Sequence, residues 1–308
     1  VRQIAYLCGH DTISWSTHRR RDAYEHDLAL RHFKDAFYKQ DRLLVEVLWN
    51  DQNIDWHVFE SAIIGSTWDY TQAKSEFVGT LTRIASSIPL YNEIDLIKWN
   101  IDKRYLRQLS EGGVGIIPTI WESSLGDSIS EDKFERLKTH TIIVKPTLGA
   151  CSEGQILVKR GERQDLSLQR NQSVMLQRFY SSISKTGEKS FIFYGTQFSH
   201  SVLKIPAPKD YRVQSIFDGT ERAYSPSENE LKTCKSILAK IPSVPLYCRI
   251  DLVDLPSGDL ALMECEVIEP YLYPTYSHEG SKLFVDQYLL RQEAAATEGV
   301  RARLIPPP

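Results

Sequence analysis

The chain lacks a charge excess of either sign: 37 Lys+Arg stand against 40 Asp+Glu, a formal net charge of −3. Partnership with nucleic acid or an anionic membrane through bulk electrostatics needs a basic surplus, so neither partner is expected. No apolar run approaches the roughly 18 residues that span a bilayer. Val1 to Leu7 is too short for a signal-peptide core and has no small-residue cleavage site. The expected location is therefore cytoplasmic. Cysteine is sparse and odd in number (Cys8, Cys151, Cys234, Cys248 and Cys265), with no C-x-x-C pair. Neither a disulfide framework nor a structural zinc site is expected. His10, His18, His26 and His32 crowd the start of the chain without zinc spacing, and surface or core roles are expected for them. No internal repeat is present.

What is present is an ordinary globular composition, 42% hydrophobic and 25% charged over 308 residues. That excludes a disordered, collagen-like or coiled-coil chain and suggests two or three domains. Ile4 to Leu7, Leu43 to Trp49 and Ser61 to Gly65 read as strands. Ala29, Phe33, Ala36 and Phe37, then Phe77, Leu81, Ile84 and Ala85, recur at helical spacing. This order predicts a small α/β domain over residues 1–97 with a mainly parallel sheet. A short helix around Tyr105, Leu106 and Leu109 ends at Gly112-Gly113. Strands are predicted at Thr141 to Pro146 and Gln155 to Lys159, which places a central α+β subdomain at 98–175. The remainder, 176–292, is rich in predicted strands: Ser173 to Phe179, Lys189 to Tyr194, Gln197 to Lys204, Tyr211 to Ile216, Leu246 to Val253 and Asp259 to Val267. A capping box, Ser227 with Glu230, opens one helix among them. A last helix covers Gly280 to Gln292, and 293–308 is expected to be a tail outside the core.

Four constellations carry chemistry. Glu264 and Glu266 are two apart on a predicted strand and share a face, which Asp251 on the partner strand can join. Three carboxylates on one face repel unless water or a cation answers them, and oxygen-only ligands suit Mg²⁺ or Mn²⁺. A solvated acidic hairpin is the competing explanation. Lys145 ends a strand before a loop bracketed by Gly149 and Gly154 and containing Ser152, where backbone N–H groups and a lysine can meet phosphate. A plain hairpin turn explains the same residues. Gln177-Arg178-Phe179 followed by Glu188 can offer a strand edge to a base and a carboxylate to a ribose; a buried strand explains it as well. His200, Lys204 and Arg212 surround a Pro-containing loop and suit a substrate carboxylate or a transferring phosphoryl group, or else protect a strand edge.

The order of these pieces resembles an ATP-grasp enzyme: Lys103, Val144-Lys145-Pro146, the glycine loop, Gln177-Arg178-Phe179, Glu188, Arg249-x-Asp251 and Glu264-x-Glu266. The chain is similar to the glutathione-synthetase-like members, most of all the group that includes the cycloserine-forming ligase. The residues that carry this likeness are Trp68-Asp69-Tyr70, Trp99-Asn100-x-x-Lys103-x-Tyr105-Leu106, Gly187-Glu188-x-Ser190, Ser199-His200 with Lys204, Asp210-x-Arg212 and Glu264-x-Glu266-x-x-Glu269-Pro270. The resemblance implies an ATP-grasp fold with ATP between the central and C-terminal subdomains. It implies phosphate contacts from Lys103, Lys145 and the loop over Gly149, Ser152 and Gly154. Adenine would meet Gln177, Arg178 and Phe179, mostly through backbone, and ribose Glu188. Asp251, Glu264 and Glu266 would hold Mg²⁺. Arg212 and Arg249 would stabilise the transferring phosphoryl group, with Lys204 and His200 facing the acceptor. Trp68, Asp69, His200, Arg212 and Glu269 would contact an amino-acid-like substrate. Two departures stand out: Glu266 replaces the usual Asn, and Gly65-Ser66-Thr67 stands where this group carries an Arg. The implied activity is carboxylate–amine ligation, possible within one molecule as ring closure, with a homodimer compatible with the fold. A small-molecule kinase and a nucleotide-binding module without ligase activity are the alternatives.

Overall fold

The computed structural model describes residues 1–149, 152–162 and 165–304. Cys151, expected as a small residue of the glycine loop, and Pro306 to Pro308 lie outside the described residues. The N-terminal part alternates strand and helix: β1 (Arg2–Cys8), α1 (Tyr24–Tyr38), β2 (Arg42–Leu48), β3 (Ser61–Ile64), α2 (Lys74–Ser87) and β4 (Leu90–Tyr91). Its four strands are all parallel, in the order β2-β1-β3-β4. A parallel strand with helices on both sides must be apolar on both faces. In β1, Ile4, Tyr6 and Cys8 face Ala29, Leu30, Phe33 and Phe37 of α1, while Ala5 and Leu7 face Phe77, Leu81 and Ile84 of α2.

Two antiparallel sheets follow. After α3 (Ile94–Asn100) and α4 (Tyr105–Glu111) come β5 (Thr119–Glu122), α5 (Glu131–Arg136), β6 (Thr141–Pro146), β7 (Ile156–Lys159) and β8 (Val174–Arg178), in the sheet order β5-β8-β6-β7. The second sheet, β11-β10-β9-β12-β13, is built from β9 (Glu188–Tyr194), β10 (Gln197–Ile205), β11 (Thr220–Ala223), β12 (Tyr247–Asp254) and β13 (Leu260–Glu266). The short α6 (Ile183–Thr186) precedes β9, α7 (Glu228–Leu238) precedes β12, and α8 (Gly280–Leu304) closes the chain. The capping box of α7 forms as the sequence predicts, with Ser227 and Glu230 satisfying each other's backbone N–H groups.

The differences from expectation have local causes. No strand forms over 211–216: the Asp210 carboxylate accepts from the backbone N–H groups of Tyr211 and Arg212, a turn that competes with a ladder, and Ser215–Phe217 is a 3-10 turn. The outer edge of β10 pairs with β11 instead. The boundary expected at 175/176 falls inside β8, so Gln177 and Arg178 belong to the same sheet as Lys145. The boundary at 97/98 falls inside α3. α8 continues past Gln292 through much of the segment expected as a tail, where Ala294 to Ala296 are strong helix formers.

Candidate functional site

A cleft of about 930 Å³ opens between the two antiparallel sheets. β6 and β8 supply Lys145, Gln177 and Arg178; β9, β10, β12 and β13 supply Glu188, Lys204, Asp251 and Glu264. In the β12–β13 ladder Asp251 lies opposite Glu264, and Arg249 opposite Glu266. Carboxylate oxygens of Asp251, Glu264 and Glu266 all come within 4.8 Å of one another. Such a group repels itself, and cations answer it. Lys103 pairs with Glu264. Arg249 reaches Asp251 at 3.0 Å and also Glu266. Lys204 lies 3.4 Å from Asp251 and 2.5 Å from Glu188, and Ser190 donates to Asp251.

Burial pushes each of these carboxyls up, and the outcome depends on the local cations. Lys103 and Lys145 outweigh burial at Glu264 and hold it at about 2. Arg249 and Lys204 do the same for Asp251, which stays below the ordinary carboxylate range. At Glu266 burial, helped by its neighbouring carboxylates, outweighs Arg249 and pushes the group up to about 8. The donor set is hard oxygen alone and fits Mg²⁺ or Mn²⁺.

The cluster is aimed by the segment that carries Lys103. Asn100 donates to the Cys265 carbonyl at 2.7 Å and accepts from the Val267 amide at 3.2 Å; the Tyr105 hydroxyl accepts from the Cys265 amide at 2.9 Å. Both therefore grip the backbone between Glu264 and Glu266. The Lys103 amide donates to the Thr147 carbonyl at 2.7 Å, which brings its side chain beside the glycine loop. Gly187 (φ +80) sits where a Cβ would lie 2.5 Å from the Lys204 carbonyl, so only glycine lets β9 and β10 close around Glu188 and Lys204.

Lys145 is 7% exposed, and its ammonium meets the Met263 Sδ at 3.4 Å. It has no carboxylate ion-pair partner among the described residues, and burial pulls its pKa down. A buried cation costs several kcal/mol unless an anion meets it. Gly149 and Ser152 line the cleft beside it. Gly154 does not; it turns the loop end at φ +68, and its carbonyl accepts from Gln169 at 2.7 Å. At the other end, Phe179, Tyr180 and Ile183 make an apolar slot. The Phe179 amide is spent on the Thr141 carbonyl at 3.0 Å. Near it the Gln177 Oε1 is buried without a partner among the described residues, while its amide nitrogen donates to Thr119. An apolar slot with one free acceptor fits a flat base bearing an amino group.

The cleft continues past Lys103, Lys204, Arg249 and Glu264 into a second chamber of about 900 Å³. Its far wall comes from the N-terminal part: Asp22, Glu25, Trp68 and Tyr70. Glu266, Glu269, Tyr271 and Tyr273 complete it. Arg20 lies over the Trp68 ring and pairs with Asp22. Burial pushes Glu25 up to about 7 despite a hydrogen bond from Ser215.

Of the residues singled out in the sequence, Arg212 lines the first cleft, bonded to Asp210 and flat on Phe217 at 3.6 Å. Besides Gly154, two more do not line either chamber. Asp69 turns away, accepting from the His10 amide at 2.9 Å and the Trp49 indole at 2.7 Å. His200 shares a face with Lys204 but lies four residues, roughly 13 Å, further along β10. Its Nε2 contacts the carbonyls of Leu272 and Tyr273 at 2.9 and 3.0 Å, so it shapes the backbone there. Burial lowers its pKa and keeps it neutral. Sequence reasoning missed Asp22, Glu25, Tyr271 and Tyr273. The acidic first turn of α1 and the tyrosines after Glu269-Pro270 were the only signals.

Residues 12–92 match the family described as D-cycloserine synthetase DcsG, N-terminal domain, and residues 124–270 match prokaryotic glutathione synthetase, ATP-grasp domain. The cycloserine biosynthesis protein DcsG of Streptomyces lavendulae is 28% identical, across 77% of this chain and 84% of its own length. The crystal structure of D-cycloserine synthetase DcsG superposes with a TM-score of 0.78 at 22% identity, covering 94% of this chain and 99% of that one. D-alanine–D-alanine ligase from Bacillus anthracis superposes with a TM-score of 0.68 at 14% identity, covering 97% and 100%. The fold, the two matched families and the expected order of motifs agree, and the chain belongs to the ATP-grasp superfamily, with an ATP-grasp domain of the glutathione-synthetase type behind an N-terminal domain of the cycloserine-synthetase type.

Proposed function

We propose that this protein is an ATP- and Mg²⁺-dependent ligase that activates the carboxylate of an amino-acid-like substrate and joins it to an amine. The observation that carries the reading is Lys145, a buried ammonium with no carboxylate ion-pair partner among the described residues, lining the same cleft as Asp251 and Glu264. Such a pair of opposed charges suits a polyphosphate held by lysines on one side and by a divalent cation on the other. Mg²⁺ held by Asp251, Glu264 and Glu266 would neutralise phosphate charge and polarise the transferring group.

In this reading the nucleotide's base lies in the slot with Gln177, and its phosphates reach Lys103, Lys145 and the loop over Gly149 and Ser152. A substrate carboxylate oxygen attacks the γ-phosphorus, and ADP leaves. Arg249 and Arg212 offset the charge that develops on the phosphoryl oxygens. Lys204 sits where the two chambers meet and orients the acceptor. The resulting acylphosphate has a good leaving group, and an amine displaces phosphate to give an amide. The second chamber joins cations near the metal cluster to Asp22, Glu25 and Trp68, a charge layout that suits a small zwitterion with its carboxylate toward the phosphates. The curated relative is named for cycloserine biosynthesis, and the solved relative for cycloserine synthesis. Their names favour ring closure within one molecule.

The test is ADP release with ATP and Mg²⁺ across amino acids and dipeptides, alone and in pairs, with products identified by mass. A product lighter by one water than its substrates supports the ligase. A phosphorylated product that accumulates without an amine replaces it with a kinase. No ADP from any member sinks the substrate class.

A further inference from the structure

The proposed ligation leaves one proton without an acceptor. When the amine nitrogen attacks the acyl carbon, a C–N bond forms and the C–O bond to phosphate breaks. Phosphate leaves with the electron pair, and the nitrogen sheds a proton. The carboxylates of the second chamber divide by what they already do. Glu264 and Glu266 belong to the metal cluster with Asp251. Glu25 and Asp22 stand on the far wall in the N-terminal part, whereas Glu269 comes three residues after Glu266 of the cluster. Glu269 is left. It follows β13, lines the chamber beside Lys103, Arg249 and Glu266, and lies outside the three-carboxylate group. Its backbone is fixed by the Trp68 indole, which donates to its carbonyl at 3.0 Å.

We infer that Glu269 is the general base that takes the proton from the attacking nitrogen, an inference that rests on the ligase reading. The groups around it are mixed in sign. Lys103 and Arg249 face it with positive charge, Glu266 with negative charge, and the Tyr70 hydroxyl donates to it. Tyr247, from β12, turns its hydroxyl to the carbonyls of Ile64 and Ile268. Burial, offset in part by Lys103, Tyr70 and Arg249, pushes the carboxyl up to about 7. A base of that strength is matched to neutral pH. It lines the chamber with residues of both the metal cluster and the N-terminal wall, where the ligase reading puts the amine.

Hydroxylamine separates this step from activation. It is unprotonated at neutral pH and attacks acylphosphates without a base. Wild-type and Glu269→Gln proteins are given ATP, Mg²⁺ and D- or L-alanine or serine, with and without hydroxylamine. Hydroxamate and amide are quantified by mass. The expected result is a loss of about 100-fold or more in amide formation by Glu269→Gln, with hydroxamate within about twofold of wild type. The acid limb of the amide pH profile should vanish as well, and Glu269→Asp should regain part of the rate. Equal loss of both products, or unchanged amide formation, overturns the inference. Absence of hydroxamate from the wild type overturns the ligase reading itself, and the inference with it.

Discussion

Asn100 holds Cys265 by its carbonyl, at 2.7 Å, from a helix remote in sequence. The same side chain accepts from the Val267 amide, so one residue fixes the strand end on which Glu264 and Glu266 alternate. Asn100→Ala leaves a buried carbonyl and a buried N–H unpaired, at about 1–3 kcal/mol each. The expected loss is about 2–6 kcal/mol, read by chemical denaturation. Its Mg²⁺ requirement should also rise, because the carboxylates lose their common aim. An unchanged Mg²⁺ titration would show that the strand keeps its geometry without this clamp.

Lys145→Met should separate stability from binding. The ammonium is buried beside Met263, with no carboxylate at ion-pair distance among the described residues, and the more distant Glu264 and Glu188 do not make up for its burial. Replacing it by an apolar chain of similar length removes the desolvation cost, so stability should hold or rise. ATP affinity should fall about 10- to 100-fold, the worth of a charged hydrogen bond to phosphate. Thermal unfolding without nucleotide and an ATP titration check the two halves. A variant that unfolds more easily and binds ATP normally would make Lys145 a structural residue.

The legible part of this molecule is the part with period. Alternation in Glu264-Cys265-Glu266 predicted a shared carboxylate face, and the ladder delivers it opposite Asp251. The parallel sheet followed from apolar runs such as Ile4 to Leu7. The substrate end was not legible, because Asp22 and Glu25 come from a loop and a first helical turn with no periodic signal. Neighbourhood in sequence also misled. Asp69 adjoins Trp68, yet it is spent on the His10 and Trp49 nitrogens. His200 shares a strand face with Lys204, but strand rise carries it away from the cleft. Trp99-Asn100-x-x-Lys103-x-Tyr105 was visible as a motif, while its task, gripping the Cys265 backbone, depends on a contact between distant segments.

Glu264 and Glu266 should respond differently to neutral substitution. Glu264 is held ionised by Lys103 and Lys145, at about 2, and is charged throughout the physiological range. Glu264→Gln removes that charge and leaves Lys103 buried without its partner, so Mg²⁺-dependent turnover should fall at least about 100-fold. Glu266 is pushed up to about 8, and its one ion-pair partner among the described residues, Arg249, keeps Asp251 when it is replaced. Glu266→Asn retains a ligand oxygen and should keep activity within about tenfold. Initial rates against Mg²⁺ concentration decide the matter. Equal damage from both substitutions would contradict the division of labour.

Glu25 ties the substrate wall to pH. Burial first, then the like charges of Asp22 and Glu221, push its carboxyl up to about 7, against opposing effects from Ser215 and Arg249. The folded protein therefore binds more protons than the unfolded chain between the ordinary Glu value of 4.5 and about 7. Stability from this group is fully present at the acid end of that window and declines as pH rises through it. Glu25→Gln keeps an acceptor for the Ser215 hydroxyl and abolishes the titration. Relative to wild type, the variant should gain about 3 kcal/mol between pH 4 and pH 8, measured by denaturant unfolding at each pH. The same variant should raise the KM for an amino-acid substrate about tenfold or more while leaving the KM for ATP within about twofold, because the lost charge faces the second chamber and not the nucleotide slot. A pH-independent stability difference would refute the buried titration. A changed KM for ATP alone would move Glu25 from substrate recognition to the nucleotide side of the cleft.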